Sequence, residues 1–243
     1  YFKENDKAIQ ENGRRDPKNA KWQEYRLNSL QLLIDVQVKR GELASANANN
    51  LIALEIAEVL TNQDKSNNVW QVSLGVSEYW NALLTDQNKA ESANASVSTL
   101  SSAHAIEPKN ENLSRWLVRA LVLQGQLNLV DGETVRALQF ARQAAEINEP
   151  FWKAMPNEKN QLSKAQVLIL KAEIFLKMNQ QKEAVTSLNE AVVLLRDSNK
   201  SELSFARLDD LVRALELLGQ KEKAAEYRLR LKAAGFVALQ AYP

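Results

Sequence analysis

The chain carries one histidine, thirty acidic side chains and no cysteine, and these counts limit the chemistry open to it. Without cysteine there are no disulfides, no thiolate zinc sites and no thiol nucleophile. His104 stands next to Ser101 and Ser102, so a base and hydroxyls are close in sequence. The apolar period, however, puts all three at the C-terminal end of one helix, where a histidine can face the last carbonyls. A single histidine also rules out an H-E-x-x-H zinc site, and a D-x-D-x-D-G calcium loop is absent. The seven glycines are too dispersed for a phosphate-cradling G-x-G-x-x-G or G-x-x-x-x-G-K-[ST] loop. Two close carboxylate pairs remain. Asp209 and Asp210 are adjacent on a helix and diverge by about 100°. Glu222 and Glu226 lie one turn apart beside Arg230. Both pairs read as solvated helix faces. The expectation is a chain with no catalytic, metal-binding or cofactor-binding residue, and not an enzyme.

The elements that would position these side chains are helical. Leu27, Leu30, Ile34 and Val38 step by three or four, as do Leu51, Leu54, Ala57 and Val59–Leu60. Leu168, Ala172, Phe175 and Leu176 repeat the rule, as do Leu208, Leu211, Val212, Leu215 and Leu218. No period-two alternation is sustained, so the spacing predicts helices over 2–12, 19–40, 43–61, 68–87, 89–105, 111–129, 132–148, 160–179, 181–197, 200–218 and 220–234. Trp22, Trp70 and Trp116 recur after similar breaks, DPKNAKWQ, DKSNNVWQ and EPKNENLSRW, and NEPFW, ending at Trp152, is a looser fourth. Packing between pairs accounts for these four, and Trp80, beside Tyr79 inside a helix, is expected in the core. Asn in these breaks can cap the next helix. Pro17, Pro108, Pro150 and Pro156 are expected to fall in the breaks and to interrupt no helix. Turns such as Arg40-Gly41-Glu42, Met178-Asn179-Gln180 and Leu218-Gly219-Gln220 are short enough to force antiparallel neighbours.

Composition agrees. Glycine and proline, at seven and five residues, are scarce for a turn-rich all-β fold. Formal net charge is +1, which gives no reason to expect nucleic acid. Residues 51–106 carry six acids and two lysines, read as a solvated acidic face. No window of about 18 apolar residues occurs, so this stretch is not expected to insert in a membrane. The opening YFKENDKAIQEN is helical in pattern and lacks an initiator methionine, which reads as a piece of a longer protein.

The stretch 165–198, AQVLILKAEIFLKMNQQKEAVTSLNEAVVLLRDS, resembles the tetratricopeptide repeat. Ala172 matches the small position of the first helix and Phe175 the large aromatic one. Ala184 and Ala191 match the small positions of the second, with Leu188 between them. Two helices about 8–10 Å apart need small residues where their backbones cross. Lys171 stands where leucine is usual, and the terminal proline is missing. Gly125, Ala137, Ala141, Ala144 and Pro150 fit the same template, as do Gly219 and Ala224. The second pair departs furthest, with Ser96 in place of the first second-helix alanine, though Ala103 and Pro108 fit. WQ…L..S and RGEL..A in Trp22–Ala46, and the closing LKAAGF, are similar to long repeats of bacterial multidomain proteins. Such arrays often follow a kinase or winged-helix domain, sometimes across a membrane span.

The resemblance implies an all-α fold, a right-handed superhelical solenoid of about five antiparallel helix pairs. It divides as 1–148, three long pairs behind a leading partial helix; 149–159, a proline-containing connection; and 160–243, two further pairs and a tail. It implies a scaffold or sensor region of a bacterial signalling protein, the extracytoplasmic side of a membrane-anchored parent being favoured. The partner would be a protein or peptide, with no nucleic acid; self-association is open. The two-carboxylate clamp of some such domains is absent: its positions hold Gln31 and Asp35, Val122 and Gln126, Ile169 and Glu173, and Asp209 and Arg213. The groove is instead expected to present Asn28, Gln31, Asp35, Arg119, Gln126, Gln166, Glu173 and Arg213, with Val122, Leu129, Ile169 and Leu176 among them. Such a lining suits an extended segment or amphipathic helix. The alternative is a structural or autoregulatory arm whose groove is filled by its own chain or a second copy.

Overall fold

The computed structural model describes residues 19–196 and 204–243. These residues are all-α, 82% helical with ten helices and no strand among them. The helix expected over 2–12, and residues 200–203 of the one expected over 200–218, lie outside them. The chain divides into two compact units, residues 1–108 and 109–243. The first contains α1 (Ala20–Lys39), α2 (Leu43–Gln63), α3 (Asn68–Leu84) and α4 (Lys89–Ile106). The second contains α5 (Glu111–Val130), α6 (Thr134–Ala154), α7 (Glu158–Lys177), α8 (Gln181–Arg196), α9 (Phe205–Leu217) and α10 (Lys221–Ala233). Within each unit consecutive helices pack together, and the first helix of one pair also touches the first helix of the next: α1 on α3, α5 on α7, α7 on α9.

Local chemistry sets these boundaries. An asparagine caps four of the five first helices: Asn19 accepts from the Lys21 and Trp22 amides, Asn67 from Trp70, Asn110 from Leu113 and Asn157 from Asn160, at 3.0–3.4 Å. Each carboxamide satisfies an amide that the helix itself leaves unpaired. The turns inside pairs end alike. Gly41 and Asn179 take left-handed φ angles of 72° and 58°, and the next amides bond back to the Gln37 and Phe175 carbonyls at 2.9 and 2.8 Å. This is the six-to-one closure of a Schellman motif.

In the first unit α1 buries Leu27, Leu30, Ile34 and Val38, the spacing read from the sequence. The buried stripe of α2 is displaced from the expected one: Ala46, Asn50, Ala53, Ile56, Ala57, Leu60 and Thr61 face inward, while Leu51 and Val59 are exposed. Alanine lets α2 approach its neighbours where leucine would hold it off. Ser96 has its own reason. Its hydroxyl donates to the Gly75 carbonyl at 2.7 Å, and a Cβ on Gly75 would lie 2.6 Å from Leu100 Cγ. Trp80 is buried and meets Tyr79 edge-on, as expected of a core residue.

The second unit departs from expectation at Pro150. That residue lies inside α6, which runs to Ala154 and carries Trp152 in its last turn rather than at the start of a pair. Trp152 packs against the apolar core, and Asn160 donates to the Met155 carbonyl at 3.0 Å, so the end of the helix is held despite the missing amide. Ala172, Ala184, Ala191 and Leu188 are buried together where α7 meets α8. Arg207 is fully buried and donates to the Leu194 and Leu195 carbonyls at the end of α8 and to Gln161 of α7. One guanidinium thereby ties three helices.

Replacing Ala172 or Ala184 with Leu is expected to destabilise the second unit by roughly 1–3 kcal/mol through overpacking, measured by urea denaturation. Leu in place of the exposed Ala154 should be near neutral. Equal effects at all three would contradict the packing described.

Candidate functional site

α5, α7 and α9 lie in a row, and the polar side chains of their common face form the site. Gln126 belongs to α5, Gln166 and Glu173 to α7, and Asp209, Asp210 and Arg213 to α9. The contacts cross between helices. Gln166 Nε2 donates to Asp210 Oδ2 at 3.0 Å, and Arg213 pairs with Glu173 at 3.6 Å, both side chains largely enclosed. Asp209 and Asp210 are therefore not on a solvated face. The row of helices covers them in a way that their spacing within α9 does not reveal.

Enclosure changes their titration. Burial pushes the Asp210 carboxyl up to about 7, with the negative charge of Asp209 adding to the rise and the Gln166 bond, Arg213 and Arg119 opposing it. Glu173 and Asp209 are also raised, first by burial, with Arg213 opposing both shifts. Glu222 and Glu226, by contrast, are exposed, as the sequence suggested.

The segment after α10 lies on this face. α10 ends in a left-handed Gly235, and Phe236, 6.2 Å from Phe205, packs against the core. Beyond it, Gln240 donates to Gln126 Oε1 at 3.3 Å, across 114 positions of sequence. Arg213 donates to the carbonyls of Gln240 and Ala241 at 3.3 and 3.4 Å. The Tyr242 hydroxyl donates to Asp209 at 2.5 Å, and its ring lies about 6 Å from both the Arg213 and Arg228 guanidiniums. Burial and the hydrogen bond to Asp209 raise the pKa of the Tyr242 hydroxyl, which stays a donor. Most of residues 237–243 remain exposed; Ala238 and Tyr242 are half-buried.

Of the residues expected in a groove, the second unit brings together Gln126, Gln166, Glu173 and Arg213. Arg119 lies further along α5 over the Trp116 ring, at 4.8 Å. Val122 and Ile169 do not line an opening: they are 9% and 3% exposed, buried by the packing of neighbouring helices. Leu129 is half-buried, and Leu176 packs half-buried against the core. In the first unit Asn28 is exposed and Asp35 pairs with Lys39 of its own helix. Gln31 is committed to α3, donating to the Ser73 carbonyl at 2.8 Å and the Ser77 hydroxyl at 3.2 Å. Sequence reasoning missed Tyr242, Gln240 and the enclosed role of Asp209 and Asp210. No local signal marked a segment 114 residues away as the cover.

His104 is half-buried in the last turn of α4, and burial lowers its pKa. Among the described residues no three His, Asp or Glu side chains are grouped to hold a metal, and no helix is long and apolar enough to cross a membrane. No protein-family model matches the chain, and no match was found among the curated proteins or the solved structures compared with it.

A carboxyl whose pKa is raised on folding favours its protonated form, so its contribution is full below about 4, the unfolded value, and is lost as pH rises through about 7. Asp210→Asn keeps an acceptor for Gln166 and removes the charge. It is expected to raise Tm at pH 8 by several degrees, about 1–3 kcal/mol, and to leave Tm at pH 4 unchanged. A loss of stability at pH 8 would contradict the enclosed carboxyl.

Proposed function

We propose that the chain is a non-catalytic binding scaffold of tetratricopeptide-like helix pairs, and that the face made by α5, α7 and α9 receives an extended peptide segment. In this reading residues 236–243 are an autoregulatory occupant, which a partner segment of similar chemistry displaces. The observation that carries it is the Arg213 guanidinium bonded to two successive backbone carbonyls while Asp209 takes the Tyr242 hydroxyl. Backbone carbonyls are common to any extended segment, so Arg213 supplies affinity with little sequence demand. Asp209, with Arg213 and Arg228 around the ring, supplies selectivity for a side chain with an aromatic ring and a hydroxyl donor.

The occupant is held lightly. Gln240 and Ala241 are exposed, and the bonds at 3.3–3.4 Å are at the long end of the useful range. A segment tethered on the same chain needs little intrinsic affinity, because the tether supplies a high effective concentration. Weak contacts and a tether suit an occupant that must leave. The expected apolar groove is not the supporting feature, since Val122 and Ile169 are core. The bacterial signalling parent and the extracytoplasmic placement belong to the same proposal and rest on the sequence resemblance alone.

The test removes residues 238–243 and titrates the shortened chain with a labelled peptide of sequence GFVALQAYP by fluorescence anisotropy. Saturable binding is expected with Kd on the order of 100 μM. Phe in place of the peptide's Tyr should weaken it about tenfold or more, the worth of a bond to a charged acceptor. The intact chain should bind the peptide at least tenfold more weakly than the shortened one. Equal binding by both chains, or none by the shortened chain, would overturn the reading. Dimerisation of the intact chain with exchange of the segment between copies would replace autoregulation with self-association.

A further inference from the structure

Towards the start of α5 and α7, away from Tyr242, the second unit has a pocket of about 180 Å³ whose charged lining residues are all cations, with Asn112 beside them. Arg115 and Arg119 stand one turn apart on α5, and Lys159 comes from the first turn of α7. Ser163 and Gln166 add a hydroxyl and a carboxamide, while Trp116 and Leu162 form an aromatic and apolar wall.

The charges in this corner do not balance. Arg115 is paired: its Nη1 donates to Glu111 Oε1 at 2.7 Å. That same oxygen accepts from Asn157 Nδ2 at 3.0 Å, so Glu111 is engaged in joining the starts of α5 and α7. Hydrogen bonds from Asn157 and the nearby Arg115 and Lys159 keep Glu111 ionised. Neither Arg119 nor Lys159 forms an ion pair among the described residues; Arg119 is stacked on Trp116. Asp210, bonded to Gln166 and acting on Arg119, is protonated below about 7, where three cations face one ionised carboxylate and two positive charges remain at the cavity. Like charges this close, partly removed from water, raise each other's energy, and a bound anion lowers it. Burial lowers the Arg115 pKa, with Arg119 adding to the fall and Glu111 opposing it.

A single carboxylate would offset only half of that excess. A dianion offsets all of it, and paired guanidiniums match the spread oxygens of a phosphoryl group. We propose that this pocket binds a phosphate monoester dianion, held by Arg115, Arg119 and Lys159 with its ester substituent against Trp116 and Leu162. The ester is borne by a small molecule or by a phosphorylated side chain. The pocket lies on α5 and α7 alone and does not depend on residues 236–243 or on the peptide reading of the face.

The experiment is an NMR titration of the intact protein, following the Trp116 indole signal, assigned through Trp116→Phe. Phenyl phosphate is expected to bind saturably with Kd on the order of 1 mM or below. Benzoate, with the same ring and one charge, should bind at least tenfold more weakly. Affinity for phenyl phosphate should rise as pH passes about 6, where the monoester gains its second charge, should stop rising above about 7, where Asp210 ionises near Arg119, and should fall with salt. Arg119→Gln combined with Lys159→Gln should weaken it at least tenfold, with unchanged circular dichroism. Lys182→Gln, an exposed lysine on α8, should leave it unchanged. A peptide carrying phosphotyrosine that binds tenfold tighter than phenyl phosphate would identify a phosphorylated side chain; equal affinities would identify a small molecule. Phenyl phosphate binding no tighter than benzoate, or unaltered in the double variant, would overturn the proposal. If the double variant alone unfolds, the comparison of phenyl phosphate with benzoate on the unaltered protein still decides it.

Discussion

Close approach of helices at residues without side chains is the constraint on which the second unit depends. A Cβ on Gly125 of α5 would fall 2.6 Å from the Leu170 side chain of α7, so the two helices meet where only glycine leaves room. Leu170 is itself fully buried, which leaves it no space to retreat. The alanines of α7 and α8 serve the same purpose between paired helices. With α5 held against α7 and α7 against α9, side chains distant in sequence come onto one face. Gln166 then reaches Asp210, Glu173 reaches Arg213, and both aspartates of α9 become half-buried. Gly75 and Leu100 stand in the same relation in the first unit.

Enclosing carboxylates without full pairing is unfavourable, and the raised titration of Asp210, Asp209 and Glu173 records it. Such groups are held because the surrounding packing is strong enough to bear them. They also make the face receptive. An acceptor poor in water seeks a donor, and the Tyr242 hydroxyl supplies one to Asp209. Arg213 meanwhile serves Glu173 and the passing backbone together. The face is thus built around polar partners, whereas the sequence suggested apolar ones.

Much of the helical framework was legible in the sequence, because its signals are local. The three-and-four step of Leu27, Leu30, Ile34 and Val38 needs only one helix to interpret. So do Asn19, Asn67 and Asn110 as caps, whereas the cap at Asn157 follows a break that the sequence placed earlier, at NEPFW. Pro150 misled because proline usually ends a helix, whereas here contacts of Trp152 and Asn160 hold α6 beyond it. The site was legible only in part. Helix register placed Gln126, Gln166, Glu173 and Arg213 on the right face, but could not show that Val122 and Ile169 would be sealed between helices. Nor could it show that Asp209 and Asp210 would be half-buried, since their cover comes from α7 and from the segment after α10. Arg115 and Lys159 escaped notice because each is ordinary on its own helix; only their convergence is informative.

Residues after α10 lie across the face of α5, α7 and α9. The chain has no cysteine, so Leu239→Cys provides one site for a nitroxide label at a partly exposed position. Paramagnetic broadening of backbone amide signals would then report what lies near it. Strong broadening is expected at Gln126 of α5, together with Glu173 and Arg213, all lost when the label is reduced. Broadening confined to the end of α10 and its immediate neighbours, with Gln126 untouched, would contradict that placement.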